Sequence, residues 1–309
     1  MKQHPLLIIL GATASGKTKL AIELAKTLET EIISADSRQV FRGMDIGTGK
    51  DLTEFYEADI PFHLIDIKEA GENYNVNSFK EDFYTAFTSI TNKNKLPILC
   101  GGSGMYIHSL LQNHELTAVP TNENLRAALQ GLDKLELEAK IKSYPKSLTN
   151  HVDFSSAKRL IRAIEVADYL QNHTLEKMDR PVLNPLVIGL VDELETRRTK
   201  ITARLLRRLE EGLVEEVEKL IANGVPVSML TFYGLEYKFV ASYLINEIDY
   251  PTLRERLTIA ICQFAKRQMT FFRKMEKDGV KIEWLAADKE LITLKEEVLQ
   301  HIEHQFELK

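Results

Sequence analysis

The sequence predicts an α/β fold in which a parallel sheet is flanked by helices and carries a helical insertion. Short apolar segments, each ended by a polar residue or a glycine, alternate with amphipathic helical patterns, as is typical of a parallel sheet. A glycine-rich loop follows the first apolar segment, and charged helical patterns interrupt the series after Val119. We therefore expect a core of residues 1–118 and 183–309 and a helical insertion domain of residues 119–182.

The first predicted unit is a strand, a loop and a helix. Residues 6–10 form an unbroken apolar run before Gly11, and leucines recur at helical spacing in residues 19–28. Further strands are predicted at residues 31–35, 62–65, 96–100, 186–191 and 281–285. Helices are predicted at residues 78–92, 156–171, 197–222 and 252–277.

The polar residues that follow the predicted strands are candidates for a binding site. Asp36 and Asp66 each follow a strand, and the glycine-rich turn of residues 101–104 follows another. Ligands of a doubly wound parallel sheet bind beyond the carboxyl ends of its strands. These residues should therefore share one rim of the sheet with the glycine-rich loop.

The glycine-rich loop matches the phosphate-binding pattern G-x-x-x-x-G-K-S/T in full, between the strand and the helix that the pattern requires. Backbone N–H groups, the helix N-terminus and Lys17 favour phosphate, and the Thr18 hydroxyl can reach Mg²⁺. The predicted diphosphate-binding residues are Gly11, Ala12, Thr13, Ala14, Ser15, Gly16, Lys17 and Thr18, and Thr18 is the predicted metal ligand. The loop is a P-loop, so we expect a P-loop NTPase-like sheet.

A P-loop alone leaves several classes of phosphate-using protein open. The chain has no N-K-x-D motif for reading a guanine base, which argues against a GTPase. The residues themselves then favour a kinase-like domain with a second substrate. Asp36 could accept a proton from a nucleophile that attacks beside the phosphate, or it could only cap its own loop.

Composition excludes other classes. With 309 residues, 44% hydrophobic, 28% charged and a net charge of -5, the chain has the composition of an ordinary globular protein. No apolar run approaches the roughly 20 residues of a membrane span. Cys100 and Cys262 have no C-x-x-C spacing, so neither a disulfide framework nor a cysteine zinc site is expected. We expect a cytoplasmic protein with no membrane contact.

Beyond the P-loop, the sequence resembles the bacterial tRNA dimethylallyltransferases over nearly the whole chain. The matching segments are residues 11–18, 34–50 (SADSRQVFRGMDIGTGK), 63–66 (HLID), 101–106 (GGSGMY), 159–166 (RLIRAIEV) and 265–268 (AKRQ). The resemblance implies transfer of a dimethylallyl group from its diphosphate to the exocyclic N6 amine of the adenosine 3′-adjacent to the tRNA anticodon. It also implies Mg²⁺ as cofactor and pyrophosphate as a leaving group held in the P-loop.

The resemblance also implies roles for individual residues. The implied catalytic residues are Asp36 as general base, Ser103 where the family usually has threonine, and Lys200 and Arg204 beside the pyrophosphate. The implied tRNA-binding residues are Asp36, Ser37, Arg38, Gln39, Ser103, Arg126, Lys158, Arg159 and Arg162. Ser155-Ser156 and residues 233–237 (YGLEY) depart from the family's pattern. The expected partners are the tRNA anticodon stem-loop and dimethylallyl diphosphate, and the expected state is a monomer.

Two other functions stay open for the sequence. A small-molecule or nucleotide kinase would hold ATP phosphates in the P-loop and use the insertion as a lid. An RNA-binding module without activity would be expected to have a degenerate P-loop. Lys17, Thr18 and Asp36 are all intact, which argues against the second alternative.

Overall fold

The computed structural model describes residues 3–112, 114–150, 152–176 and 178–306. The strands are β1 (Gln3–Gly11), β2 (Ile32–Ser34), β3 (Phe62–His63), β4 (Ile98–Gly101), β5 (Val182–Val191) and β6 (Glu283–Ala286). They form one sheet in the order β3-β2-β4-β1-β5-β6, and every pairing is parallel. The predicted parallel sheet flanked by helices is confirmed.

Helices connect these strands. In chain order they are α1 (Lys17–Thr27), α2 (Leu52–Glu57), α3 (Val76–Thr91), α4 (Gly104–Leu111), a 3-10 helix (Glu115–Ala118), α5 (Glu123–Leu129), α6 (Lys134–Lys142), α7 (Lys146–Thr149), α8 (Ala157–Asn172), α9 (Leu194–Glu210), α10 (Leu213–Ala222), α11 (Val227–Tyr233), α12 (Leu235–Leu244), α13 (Tyr250–Lys277) and α14 (Leu291–Phe306). None of the described helices combines the length and the apolar character that crossing a membrane requires.

Strand β1 lies inside the sheet and is buried on both faces. Leu6, Ile8 and Leu10 belong to one hydrophobic core, which α3 and α13 also contribute to. Leu7 and Ile9 belong to the core on the other face, together with residues of α1 and α14. Side chains alternate between the faces of a strand, so a strand covered on both faces is a continuous apolar run. This burial explains the apolar run of residues 6–10.

Strand β5 begins earlier than the predicted strand 186–191 and includes a proline. It pairs with β1 along its length, with Pro185 opposite Leu6. Its other neighbour, β6, pairs only with Ile188–Val191. One edge of β5 is therefore open at Pro185, and a residue without an N–H group can occupy a strand where no ladder bond is needed.

The single helix predicted over residues 197–222 is wrong, because the structure breaks it into α9 and α10. Gly212 lies between them with a φ of 104°, in the left-handed region that favours glycine. The apolar spacing on the two sides of the break looks like one periodic pattern. By contrast, the predicted helix 252–277 is a single element, α13, whose Asp249 side chain accepts a hydrogen bond from Thr252 N–H.

The chain divides into two compact units. The first contains the residues up to Gln112 and those from Pro181 onward, and the second contains the residues between them. The second unit has its own hydrophobic core, in which Leu137 and Ile141 of α6 pack with Leu160 of α8. The expected insertion domain of residues 119–182 overlaps most of this unit, and its expected contact with tRNA stays a prediction.

Candidate active site

The P-loop connects the end of β1 to the start of α1. Backbone conformation and close contacts explain why two of its positions are glycines. Gly16 has a φ of 82°, in the left-handed region. At Gly11, an added Cβ would lie 2.6 Å from Ser15 Oγ and 3.0 Å from the carbonyl oxygen of Leu190. The loop therefore closes tightly against β5, and its backbone curls at the N-terminus of α1, where anions bind.

A small cavity lies beside the P-loop. Its volume is about 50 Å³. It is lined by Thr13, Lys17 and Thr18 of the loop and by Asp36, Thr48, Asp51 and Arg204, among other residues. Burial lowers the pKa of Lys17, and the nearby Cys100 and Asp36 oppose this shift. Cationic side chains, a hydroxyl and the helix N-terminus make this cavity suitable for a diphosphate.

A larger cavity of about 280 Å³ adjoins the small one. It is lined by Ser37, Arg38 and Ser103, by residues 233–238, and by Phe264, Arg267 and Gln268 of α13, among others. Thr13, Asp36, Thr48 and Arg204 line both cavities. The site therefore has room for two groups that meet at these residues.

Asp36 and Ser103 lie together at the carboxyl ends of β2 and β4, as predicted from the parallel sheet. Asp36 Oδ1 accepts the N–H of Arg38 at 2.9 Å, and Ser103 Oγ accepts the N–H of Ser37 at 3.0 Å. An added Cβ at Gly101 would overlap the backbone of Ala35, which explains the glycine in this turn. The Ser103 hydroxyl thus holds the turn that presents Asp36.

Arg38 and Gln39 have different surroundings within this turn. The Arg38 guanidinium lies 5.4 Å from the ring centroid of Phe232, and it lines the larger cavity. Burial lowers the pKa of Arg38, while the Asp36 carboxylate opposes this shift. Gln39 lines the small cavity, donates to the carbonyl of Gly49 at 2.9 Å and accepts from Ser34 Oγ at 2.9 Å.

The structure brings Arg204 to the P-loop and leaves Lys200 apart from it. Arg204 donates to the Thr13 hydroxyl, and burial followed by the Arg208 charge lowers its pKa to about 10. Lys200, one turn earlier on α9, donates to Asp192 at 2.5 Å and lines neither cavity. The buried carboxylate of Asp192 binds this ammonium group, so the predicted catalytic pair is separated.

In the second unit, Arg126 and Arg162 bind groups of their own unit. Arg126 donates to both oxygens of Glu165 at 2.9 Å, and the Glu165 side chain is fully buried. Arg162 lies 3.4 Å from the same carboxylate and donates to the carbonyl of Val119 at 2.7 Å. The charge of a buried carboxylate needs such partners. These two arginines therefore hold the unit together.

The two other basic residues predicted to bind tRNA lie at the start of α8. Lys158 and Arg159 are both exposed. Arg159 binds the carboxylate of Asp153, which is itself exposed. Exposed side chains of this kind can exchange such partners for phosphate groups at little cost.

Several residues of the site were missed by the sequence analysis. Gln268 Oε1 accepts the N–H of Thr13 at 2.9 Å, and its amide donates to the carbonyl of Gly102 at 2.9 Å. Arg208 and Glu236 line the larger cavity with a nitrogen-to-oxygen distance of 3.6 Å. Burial raises the pKa of Glu236, while Arg208 opposes this shift. The signals available were the segment 265–268 and the four-residue spacing from Arg204 to Arg208.

The residues beside the P-loop fit a magnesium ion that is bound together with a diphosphate. Among the residues that the structure describes, no group of three or more His, Cys, Asp or Glu side chains could hold a metal by itself. Mg²⁺ is usually bound through one or two carboxylates together with substrate phosphates and waters. Thr18 and Asp51 line the small cavity and would supply oxygen ligands of this kind.

Comparison with known proteins gives consistent results. The family model described as IPP transferase matches residues 39–275. A protein of Porphyromonas gingivalis named tRNA dimethylallyltransferase 2 is 50% identical over 284 residues, which are 91% of this chain and 94% of that protein. The Geotalea uraniireducens protein named tRNA dimethylallyltransferase 1 is 46% identical over 295 residues, with coverage of 96% and 97%.

Solved structures agree with these relatives. The crystal structure of tRNA delta(2)-isopentenylpyrophosphate transferase from Staphylococcus epidermidis superposes with a TM-score of 0.71 and 32% sequence identity. The superposition covers 98% of this chain and 99% of that one. The similarity therefore extends over both units of the chain.

Proposed function

Because this chain belongs to the IPP transferase family, we propose that it transfers a dimethylallyl group from dimethylallyl diphosphate to an adenosine of tRNA. The observation that carries the proposal is the pair of adjoining cavities, which share Asp36 and Arg204. The smaller cavity suits the diphosphate. The larger cavity suits the dimethylallyl chain and a base that has left its stack, since base-modifying enzymes extrude their target.

The residues at the junction of the cavities suit this reaction. The bond between the dimethylallyl carbon and the diphosphate oxygen breaks, and a bond from that carbon to the adenine amine nitrogen forms. Lys17, Arg204 and the P-loop donors stabilise the negative charge that develops on the departing pyrophosphate. Asp36 accepts the proton that the amine loses, because its carboxylate lies on the wall that both cavities share.

The finer assignments belong to the same proposal. The acceptor is the N6 amine of the adenosine 3′-adjacent to the anticodon. The Thr18 hydroxyl and the Asp51 carboxylate would hold Mg²⁺ together with the diphosphate. When bound, Mg²⁺ supplies positive charge to the leaving group. A tRNA substrate is consistent with a cytoplasmic protein, and the monomeric state stays a prediction.

The kinase alternative receives no support from the matched family or from the relatives, all of which are transferases by name. The inactive RNA-binding alternative conflicts with the arrangement of Lys17, Thr18 and Asp36, which line one cavity. A protein that only binds RNA has no need to keep a phosphate cradle, a cation and a carboxylate together.

The proposal is tested by incubating the protein with unmodified tRNA, dimethylallyl diphosphate and Mg²⁺, followed by mass spectrometry of the anticodon-loop nucleosides. We expect one adenosine to gain the mass of a dimethylallyl group. Lys17→Ala should abolish this product, and a parallel reaction with labelled ATP should show no turnover. Turnover of ATP without transfer of the dimethylallyl group would instead establish the kinase.

A further inference from the structure

The segment of residues 44–50, which we name the wall loop, borders both cavities. Gly47 and Thr48 line the larger cavity, while Thr48 and Gly49 line the smaller one. Thr48 is thus one of the residues at which the two proposed substrates meet. The position of this backbone fixes the shape of the site on both sides.

A carboxylate outside both cavities holds the wall loop. Glu216, in the first part of α10, accepts the N–H groups of Asp45 and Ile46, both at 2.8 Å, and of Gly47 at 3.0 Å. It also accepts the hydroxyl of Tyr237 at 2.7 Å. An ionised carboxylate has two oxygens and only accepts hydrogen bonds, so it can satisfy these four donors at once.

The wall loop fits closely between two side chains that line the larger cavity. An added Cβ at Gly47 would lie 2.5 Å from the Tyr237 ring, and one at Gly49 would overlap the Arg208 guanidinium. Both side chains are lining residues of the larger cavity. A displacement of the loop would therefore also displace these parts of the cavity wall.

The far end of the wall loop is fixed by a buried lysine. The Lys50 side chain is fully buried, and its ammonium group donates to the Phe41 carbonyl at 2.7 Å, to Asp45 at 2.6 Å and to Asp66 at 2.5 Å. Asp66, which follows β3, therefore binds Lys50 and lines neither cavity. Lys50 thus binds the side chain of Asp45, while the backbone N–H groups of residues 45–47 are bound by Glu216.

The break at Gly212 places Glu216 where it can reach the wall loop. The helix before the break, α9, carries Arg204 and Arg208 to the cavities. The helix after it, α10, carries Glu216 to the loop backbone. Two consecutive helices thus approach the same loop, one with cations and one with an anion.

We propose that Glu216 is a positioning residue of the transfer reaction, whose carboxylate fixes the wall loop and thereby places Thr48 between the two substrates. The inference rests on the proposed function. Glu216 lines neither cavity, so it acts through the loop backbone rather than by touching a substrate. Small misplacements of a site can cost about 100-fold in rate.

The test replaces the carboxylate by its amide, Glu216→Gln, in the full chain. The amide has one accepting oxygen and places an NH₂ group against backbone donors, so the loop loses part of its support. We expect the single-turnover rate of transfer to fall roughly 10- to 100-fold. The stoichiometry of pyrophosphate binding, measured by calorimetry, should stay unchanged, because the P-loop is intact.

Two further variants separate positioning from a general effect on folding. Glu215→Gln removes the neighbouring exposed carboxylate of α10 and should leave the rate unchanged. Tyr237→Phe removes one of the four donors and should cause a smaller loss than Glu216→Gln, because the three backbone bonds remain.

An unchanged rate in Glu216→Gln would overturn the inference, as would an equal loss in Glu215→Gln. A loss that matches a fall in pyrophosphate-binding stoichiometry would also overturn it, since the residue would then only support folding. Absence of transfer by the unaltered protein would be a failure of the proposed function instead, so the two failures are distinguishable.

Discussion

Asp36 lies on the wall shared by the two cavities, and its backbone turn is fixed by Arg38 and Ser103. For Asp36→Asn we expect the transfer rate to fall by about 10²- to 10⁴-fold, the range for loss of a general base. Pyrophosphate affinity should stay the same or increase, because a negative charge is removed. Rapid-quench kinetics and calorimetry measure the two quantities.

The matched control is Asp51→Asn, because Asp51 lines the small cavity of the site but not the larger one. It should change diphosphate or Mg²⁺ affinity more than the rate at saturation. Equal losses of rate in both variants would show that charge near the diphosphate, and not proton transfer by Asp36, limits the reaction.

Deprotonation of Lys17 should make pyrophosphate affinity depend on pH in the alkaline range. Burial lowers its pKa below the ordinary value of 10.5, so this lysine loses its charge at a lower pH than an exposed one. Because the charged form binds the anion, pyrophosphate affinity should decline as the pH rises toward 10.5 from below. In Lys17→Arg the decline should move to higher pH, since guanidinium keeps its proton. Calorimetric titrations across this pH range test the shift, with Lys19→Ala as a control in an exposed position.

Among the helices, the break between α9 and α10 depends on one residue. Gly212 has a positive φ, so alanine there is strained even though there is room for its side chain. For Gly212→Ala we expect a loss of about 1 kcal/mol in the free energy of unfolding. Gly131→Ala is the control, because an added Cβ there meets no atom within 4 Å. Urea unfolding measures the free energy of unfolding of both variants. Equal stability of the two variants would contradict the prediction.

Helix α8 carries two kinds of basic residue that should behave differently. Arg162→Ala leaves the buried Glu165 with Arg126 as its remaining arginine partner, so we expect a loss of about 1.5–3 kcal/mol in the stability of the second unit. Lys158→Ala should leave stability unchanged and weaken tRNA binding in a salt-dependent manner, as loss of one phosphate contact does. Thermal melting and filter binding at two salt concentrations distinguish them. Reversed results would show that Arg162 is the tRNA contact.

Elements that depend on local patterns could be predicted, and those that depend on distant contacts could not. The apolar run of residues 6–10 and the spacing of residues 252–277 predicted β1 and α13. The break at Gly212 was missed, because glycine also occurs inside helices and the contact of Glu216 with the wall loop is not local. The positions of some site residues could also be predicted. Asp36 and Ser103 could be placed together, since parallel strands end at one rim of the sheet. The position of Lys200 could not be predicted, because its ion pair with Asp192 depends on side-chain packing.

At the scale of the whole molecule, a ligand of the P-loop should stabilise one unit only. Pyrophosphate at about 100 times its dissociation constant contributes about 2.7 kcal/mol. For a unit of this size that corresponds to a rise of roughly 5–10 °C in its melting temperature. The transition of the second unit should not move, because it contains none of the P-loop residues. Differential scanning calorimetry with and without pyrophosphate measures both, and Lys17→Ala should abolish the rise.

Gln268 of α13 contacts the P-loop, although the two are far apart in the sequence. Its side chain accepts the N–H of Thr13, 255 residues earlier, and donates to Gly102. A ribosome that adds about 5–20 residues per second needs roughly 13–51 s to make the chain between them. The P-loop is therefore synthesised early in translation. Its contact with Gln268 can form only after α13 has been synthesised. A nascent chain shorter than this carries the phosphate-binding motif without the finished site.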